Sequence, residues 1–64
     1  MIGRFLETYS DYLGALPGTV IEGSHSGVWE KGEDYKWYDG ESGLWNESGE
    51  MCGYPRAVIV EGEG

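Results

Sequence analysis

The chain has few of the residues that stabilise very small domains through cross-links. Its 64 residues include one cysteine, Cys52, and one histidine, His25. A single cysteine excludes an intrachain disulfide. One cysteine and one histidine do not supply the four ligands of the usual structural zinc site. We therefore expect one small domain, residues 1–64, which holds no metal or cofactor and depends on apolar packing or on a partner for its stability.

Positive charge is scarce as well. Four Lys and Arg residues stand against twelve Asp and Glu residues, which gives a net charge of −8. Nucleic acids and anionic membrane surfaces are bound through positive charge, so neither is an expected direct partner. One interpretation is that the acids only provide solubility. The other is that they attract a protein with a basic surface, including one whose groove normally holds nucleic acid.

Long apolar runs are absent. No stretch approaches the roughly 20 apolar residues that a membrane-spanning helix needs. Glu7 and Asp11 interrupt the N-terminal segment, which argues against a secretory signal peptide. The unpaired Cys52 is typical of a reducing compartment. The sequence therefore predicts a cytoplasmic protein.

Aromatic residues are abundant for this length, with three Trp, five Tyr and one Phe. Large rings bury much apolar area per residue. We therefore expect a small aromatic core to be the source of stability. A second molecule could complete this core.

The first third of the chain shows helical periodicity. Its apolar residues are spaced by three or four positions: Ile2, Phe5, Leu6, Tyr9, Tyr12, Leu13 and Leu16. This spacing predicts an amphipathic helix at about residues 2–13, which Gly14 and Pro17 would end. Two placements stay open for its apolar stripe: packing on a sheet, or docking outward on a partner.

The rest of the chain favours strands. Runs of β-branched and aromatic residues between Gly-containing turns predict strands at about residues 19–23, 27–31, 35–38 and 56–61. The short connections favour antiparallel pairing. Leu44–Glu47 could form a short helical turn that plugs one end of the sheet. The expected fold class is α+β, with the N-terminal helix packed on a small, strongly bent, four-stranded antiparallel meander that forms a partly closed barrel.

Several segments together resemble a group of small, largely uncharacterised proteins of actinobacteria and their phages. The segments are Pro17–Ile21, Gly27–Lys31, Trp37, Tyr54-Pro55 and Val58–Val60, which resemble the PxGTVI…VWEK…W pattern of the group. The Ser24–Ser26 turn departs from the group, where an Asp-rich turn is usual. The resemblance implies a β fold and a phage-like setting, and it implies no activity. If a phage encodes the protein, the expected location is the cytoplasm of the bacterial host cell.

Catalytic chemistry finds little support. Cys52 and His25 are 27 positions apart without a nucleophile signature around them, so a buried Cys and a solvated His are the simpler interpretation. The Asp39–Gly43 loop lacks the spacing of an EF-hand calcium loop. The sequence therefore predicts a protein that is not an enzyme.

The acidic, aromatic middle of the chain is the predicted partner-binding region. Aromatic residues are enriched at interface centres, and acids at a rim steer association with a basic partner. The candidate residues are Glu33, Asp34, Trp37, Tyr38, Asp39, Glu41, Trp45 and Glu47. The alternative is that the rings form core and the acids only solvate loops.

The expected function is that of a small acidic interaction module, phage-encoded, which binds and in the strongest form inhibits a host protein by mimicking nucleic-acid charge. The alternative function is that of a minor virion or structural protein that assembles with itself, as a possible homo-oligomer.

Overall fold

A computed structural model of the chain describes residues 2–23, 27–52 and 56–62. Eight elements lie in this described part. In chain order they are β1 (Phe5–Leu6), α1 (Tyr9–Gly14), β2 (Val20–Glu22), β3 (Val28–Lys31), β4 (Trp37–Asp39), β5 (Trp45–Asn46), α2 (Ser48–Met51) and β6 (Ala57–Glu61).

The six strands of the described part form one open antiparallel sheet. Their spatial order is β1-β6-β2-β3-β4-β5. Three consecutive pairings, from β2 to β5, are hairpins, and β6 inserts between β1 and β2. The register shifts between Val20 and Ile21 where β2 meets β6, because Val20 lies opposite Glu61 and Ile21 lies opposite Ile59.

The expected fold class was wrong. The sheet has six strands in the described residues, it is open, and no N-terminal helix spans residues 2–13. Phe5 and Leu6 instead form an edge strand opposite Val58 and Ala57. The amide of Gly3 also donates to the carbonyl of Ile59 (2.7 Å). The backbone of this segment therefore forms hydrogen bonds with β6 instead of the intrahelical hydrogen bonds of a helix.

Helix α1 begins directly after its N-cap residue, Thr8. Thr8 Oγ1 accepts a hydrogen bond from the Asp11 amide (3.2 Å), and Asp11 Oδ2 accepts one from the Thr8 amide (3.1 Å). This reciprocal pair is a capping box, which satisfies amides that the first helical turn leaves without intrahelical partners. The hydrogen bonds from the Glu7 and Thr8 amides lower the pKa of Asp11 below its usual value.

The apolar stripe expected for the N-terminal helix is divided between two elements and two environments. Leu6 and Tyr12 are buried, whereas Ile2, Phe5, Tyr9, Leu13 and Leu16 are exposed. The prediction of a short helical turn at Leu44–Glu47 was also wrong. Trp45 and Asn46 form the edge strand β5, opposite Tyr38 and Trp37, and the plug role fails because Leu44 and Trp45 are exposed.

The sheet has two faces of different character. The inner face is the side covered by α1 and α2, where the core is formed by Leu6, Tyr12, Ala15, Ile21, Trp29, Trp37, Met51, Ala57 and Ile59. The Tyr12 ring meets the Trp37 ring edge-on, with 6.0 Å between centroids. The outer face is the opposite side, to which Val28, Glu30, Tyr38 and Trp45 point by strand alternation. Within the described residues no helix covers it.

Candidate functional site

Buried Lys31 is the most unusual side chain of the inner face. Only 1% of its surface is exposed. Its Nζ donates to the carbonyls of Tyr12 (2.5 Å) and Leu13 (3.3 Å), in the last turn of α1, and to Ser48 Oγ (3.4 Å). All three acceptors are neutral. Burial therefore lowers the pKa of Lys31 below its usual value, since desolvation disfavours the ammonium form.

Aromatic rings also surround this ammonium group. Lys31 Nζ lies 4.8 Å from the centroid of the Trp37 ring and 5.2 Å from that of Tyr35. These distances suit cation–π attraction. Lys31 thereby connects β3 to both helices, and its role is structural: it joins the carbonyl end of α1 to the sheet.

The outer face carries a row of side chains across three strands. Glu30 on β3 lies opposite Tyr38 on β4, and Tyr38 lies opposite Trp45 on β5. Trp45 is 47% exposed. Lys36 Nζ lies 4.0 Å from the centroid of the Trp45 ring, so the chain places one of its own cations on this ring.

At the other end of the outer face the arrangement repeats. Arg56 stacks over the Phe5 ring, with 4.0 Å between Cζ and the ring centroid. Between these two stacked pairs the outer face exposes Glu22, Glu30 and Glu61. The two cations are thus held against rings at the ends of the face, and the middle presents carboxylates beside apolar side chains.

The Tyr38 side chain is held in one orientation. Its hydroxyl donates to Asp34 Oδ2 (2.6 Å), and Asp34 Oδ1 accepts from the Lys36 amide (3.1 Å). The hydrogen bond from Tyr38 lowers the pKa of Asp34, and the same bond raises the pKa of Tyr38, because the phenolate would face a carboxylate. Gly32 lies under the ring: a Cβ there would be 2.6 Å from Tyr38 Cε1.

A pocket of about 330 Å³ opens beside this ring. It is lined by Pro17, Gly18, Glu30, Lys31, Gly32, Glu33 and Tyr38. The Gly18 amide donates to the Lys31 carbonyl (2.9 Å), so the segment before β2 and the end of β3, which both line the pocket, lie side by side. A Cβ built on Gly18 would meet no atom within 4 Å.

The structure brings together only part of the predicted partner-binding set. Glu33 and Tyr38 line the pocket, Asp34 accepts a hydrogen bond from the Tyr38 hydroxyl, and Trp45 is adjacent to Tyr38 on β5. Trp37 cannot contact a partner because it is fully buried on the inner face. Glu41 is exposed in the β4–β5 connection, and Glu47 precedes α2, where its amide donates to Glu50 Oε1 (2.9 Å).

Asp39 serves its own loop. Its Oδ1 accepts hydrogen bonds from the amides of Glu41 (2.7 Å) and Ser42 (3.3 Å). This is the usual behaviour of Asp in a turn. In residues 2–23, 27–52 and 56–62 no group of three His, Cys, Asp or Glu side chains is placed to hold a metal ion.

Five pocket residues were not predicted from the sequence: Pro17, Gly18, Glu30, Lys31 and Gly32. Strand alternation places Glu30 on the face away from Trp29 and Lys31. Its closeness to Tyr38 depends on the register between β3 and β4. Cys52, considered for nucleophilic chemistry, donates to the Gly49 carbonyl (3.4 Å) and packs against the core. His25, Tyr54 and Pro55 lie outside the described residues.

No helix in the described part of the chain is both long and apolar enough to cross a membrane. Comparison with protein-family models gives no match. Comparisons with curated proteins and with solved structures give no significant match either. The resemblance to small actinobacterial and phage proteins therefore stays a prediction.

Proposed function

We propose that this protein is a non-enzymatic interaction module whose outer sheet face binds a protein with a basic surface. The observation that carries the proposal is the row Glu30–Tyr38–Trp45, which runs across three strands on a face that no described helix covers. Such rows combine aromatic contact area with carboxylates at short range, as interface centres and rims do.

Charge decides which occupant fits this face. Glu22, Glu30 and Glu61 are exposed on it, and the net charge of the chain is −8. A second copy of the chain would bring carboxylates against carboxylates, whereas a basic surface would complement them and would be attracted at long range. In the strongest form of this function, the partner is a host protein whose basic groove normally holds nucleic acid. Binding of this chain would then inhibit that protein.

The test compares two variants with the same change of charge on different faces. Glu30→Lys changes the outer face, and Ser10→Lys/Leu13→Lys adds the same two positive units on exposed positions of α1. A protein captured from bacterial lysate at low salt is purified, and its affinity for the wild type and for each variant is measured by calorimetry. We expect Glu30→Lys to weaken binding at least tenfold and the α1 variant to change it less than twofold.

Cross-linking of the purified complex supplies the second readout, and we expect cross-links from the partner to Lys36, at the outer face. If both variants weakened partner binding equally, the net charge of the chain and not the outer face would explain the effect. That result would overturn the proposal. Light scattering that shows the isolated chain self-associating through the outer face, with Glu30→Lys changing the association, would also overturn it and would favour the self-assembling alternative.

A further inference from the structure

The pocket beside Tyr38 has the composition of a site for one planar cation. We propose that it receives a single arginine side chain of the basic partner, an inference that rests on the proposed function and names the subsite at which recognition is concentrated. The supporting observations are the shape of the pocket, the fixed ring, and the two carboxylates at its rim.

The shape comes from two glycines. Gly18 and Gly32 both line the pocket, and neither carries a side chain that would fill it. A Cβ on Gly18 would enter open space, and a Cβ on Gly32 would collide with Tyr38 and with Asp34 Oδ1, at 2.6 and 2.9 Å. The pocket volume of about 330 Å³ is at the lower end of the range of ligand pockets, about 300–1,000 Å³, which suits one side chain rather than a large ligand.

The walls offer flat apolar surface. Pro17 and the Tyr38 ring both line the pocket, and the hydrogen bond to Asp34 fixes the ring before any ligand arrives. A preformed wall lowers the entropic cost of binding. Guanidinium groups stack on aromatic faces, are less strongly hydrated than ammonium groups, and therefore fit such a wall better than lysine does.

The rim supplies unused acceptors. Glu30 and Glu33 are exposed, and within the described residues neither carboxylate accepts a hydrogen bond or forms an ion pair. Asp34 differs from them, because Tyr38 and the Lys36 amide already occupy its two oxygens. Two free carboxylates at the mouth of an apolar pocket match the five donors of a guanidinium group, which pairs with carboxylates in a two-bond geometry.

The chain itself shows that its outer face attracts cations to rings. Lys36 lies over Trp45, and Arg56 lies over Phe5, each at 4.0 Å. These two rings are therefore occupied by the chain, whereas the pocket side of Tyr38 is open. An incoming arginine would find an unoccupied ring at the pocket and no other equivalent place along the row Glu30–Tyr38–Trp45.

The experiment uses three small probes and the intact 15N-labelled protein. Acetyl-arginine amide, acetyl-lysine amide and acetyl-citrulline amide are titrated separately while backbone amide shifts are recorded. We expect acetyl-arginine amide to shift Gly18, Gly32, Glu33 and Tyr38 in a saturable manner, acetyl-lysine amide to bind at least threefold more weakly, and the neutral citrulline probe to produce no saturable shift.

Paired variants assign the binding to the rim. Glu30→Gln/Glu33→Gln should weaken acetyl-arginine amide binding at least fivefold, whereas Glu22→Gln/Glu41→Gln removes the same charge outside the pocket and should change it less than twofold. Tyr38→Phe keeps the ring, and we expect it to retain binding better than Tyr38→Ala does. Amide spectra of all variants establish that they are folded.

Failure of this inference is distinct from failure of the proposed function. Shifts spread evenly over the outer face, equal losses in the two paired variants, or equal binding of the citrulline probe would overturn the arginine subsite. None of these results would contradict the binding of a basic protein that Glu30→Lys weakens at least tenfold. Conversely, saturable arginine binding by a chain that binds no basic protein would support the pocket and overturn the proposed function.

Discussion

Lys31 is a cation enclosed by neutral groups, and this has a consequence for the dependence of stability on pH. In the unfolded chain its pKa lies near 10.5, and burial lowers it in the folded protein. Between the two pKa values the unfolded chain binds a proton that the folded protein has already released. The contribution of Lys31 to the free energy of unfolding therefore rises with pH in the window just below 10.5, whereas that of Tyr38, whose pKa is raised, changes in the opposite direction.

The variant Lys31→Met should lose this rise. The measurement is urea denaturation at a series of pH values from 7 to 11, analysed as the difference in slope between variant and wild type. Lys36→Met is the matched control, because Lys36 stacks on exposed Trp45 instead of being enclosed. The same slope in Lys31→Met and wild type would contradict the prediction. Should Lys31→Met not fold, the titration of Lys31 in the wild type by 13C NMR tests the same lowered pKa.

Single residues also show what a linear pattern omits. Trp37 and Tyr38 are adjacent and both aromatic, and both were predicted to bind a partner. Strand alternation sends Trp37 to the core and Tyr38 to the outer face, so the two have opposite roles. Which of the two faces is covered could not be decided from the sequence, since both carry rings.

At the scale of elements, the capping box determines where α1 begins. We expect Thr8→Ala to lower the free energy of unfolding by about 1 kcal/mol, the usual cost of removing an N-cap side chain. Ser10→Ala is the matched control within the same helix, where Ala has the better helix propensity and should not destabilise. Urea denaturation of both variants at pH 7 gives the comparison. Equal effects of the two substitutions would show that the cap does not determine the start of α1.

Asp11 makes the same cap sensitive to acid. Its pKa is lowered in the folded protein from a usual value of 3.8. The stability that this carboxylate contributes is therefore present above pH 3.8 and is lost as the pH falls through the lowered pKa.

The helix prediction failed for a reason that residues 2–13 themselves display. The spacing of the apolar residues is compatible with one long helix, and the prediction rested on that spacing. It did not use a local signal for a helix start at Thr8, which is followed three positions later by Asp11. Once β6 is available to pair with Phe5 and Leu6, a strand followed by a capped short helix satisfies more of the backbone. That pairing joins positions more than 50 residues apart, and no local pattern encodes it.

Strands β2, β3, β4 and β6 overlap the predicted ranges, because β-branched and aromatic runs between Gly-containing turns are a local signal. Strand β5 and helix α2 were missed, since two and four residues are too few to show a period. The pocket was missed for a related reason: its walls come from three separate parts of the chain, and only the register brings Glu30 beside Tyr38.

At the scale of the whole molecule, one small core carries the stability. A domain of this size has only about 3–5 kcal/mol available from its core. Trp37 is fully buried, so Trp37→Ala should cost about 3–5 kcal/mol and unfold the protein at 25 °C. Trp45→Ala removes an exposed ring with its stacked lysine, and we expect a loss of about 1 kcal/mol or less.

Amide NMR spectra distinguish these outcomes, since the Trp37→Ala spectrum should collapse to unfolded dispersion while the Trp45→Ala spectrum stays dispersed. Trp37→Phe keeps an aromatic ring in the core and should remain folded with reduced stability. A folded Trp37→Ala protein would contradict the assignment of Trp37 to the core. Unfolding by Trp45→Ala would show that the outer face is part of the core and is not free to bind.

Strand β6 follows the other five described strands along the chain and yet lies inside the sheet, between β1 and β2. While the ribosome elongates the chain, and until residue 61 has been added, β1 has no strand to pair with. During the same time β2 can pair with β3 only, so its other edge is unpaired. Stable folding of the sheet must therefore wait until residues 57–61 have been synthesised. The earlier hairpins can form transiently, but a nascent chain that stalls before residue 57 would expose two unpaired strand edges and would be a substrate for proteases and for aggregation.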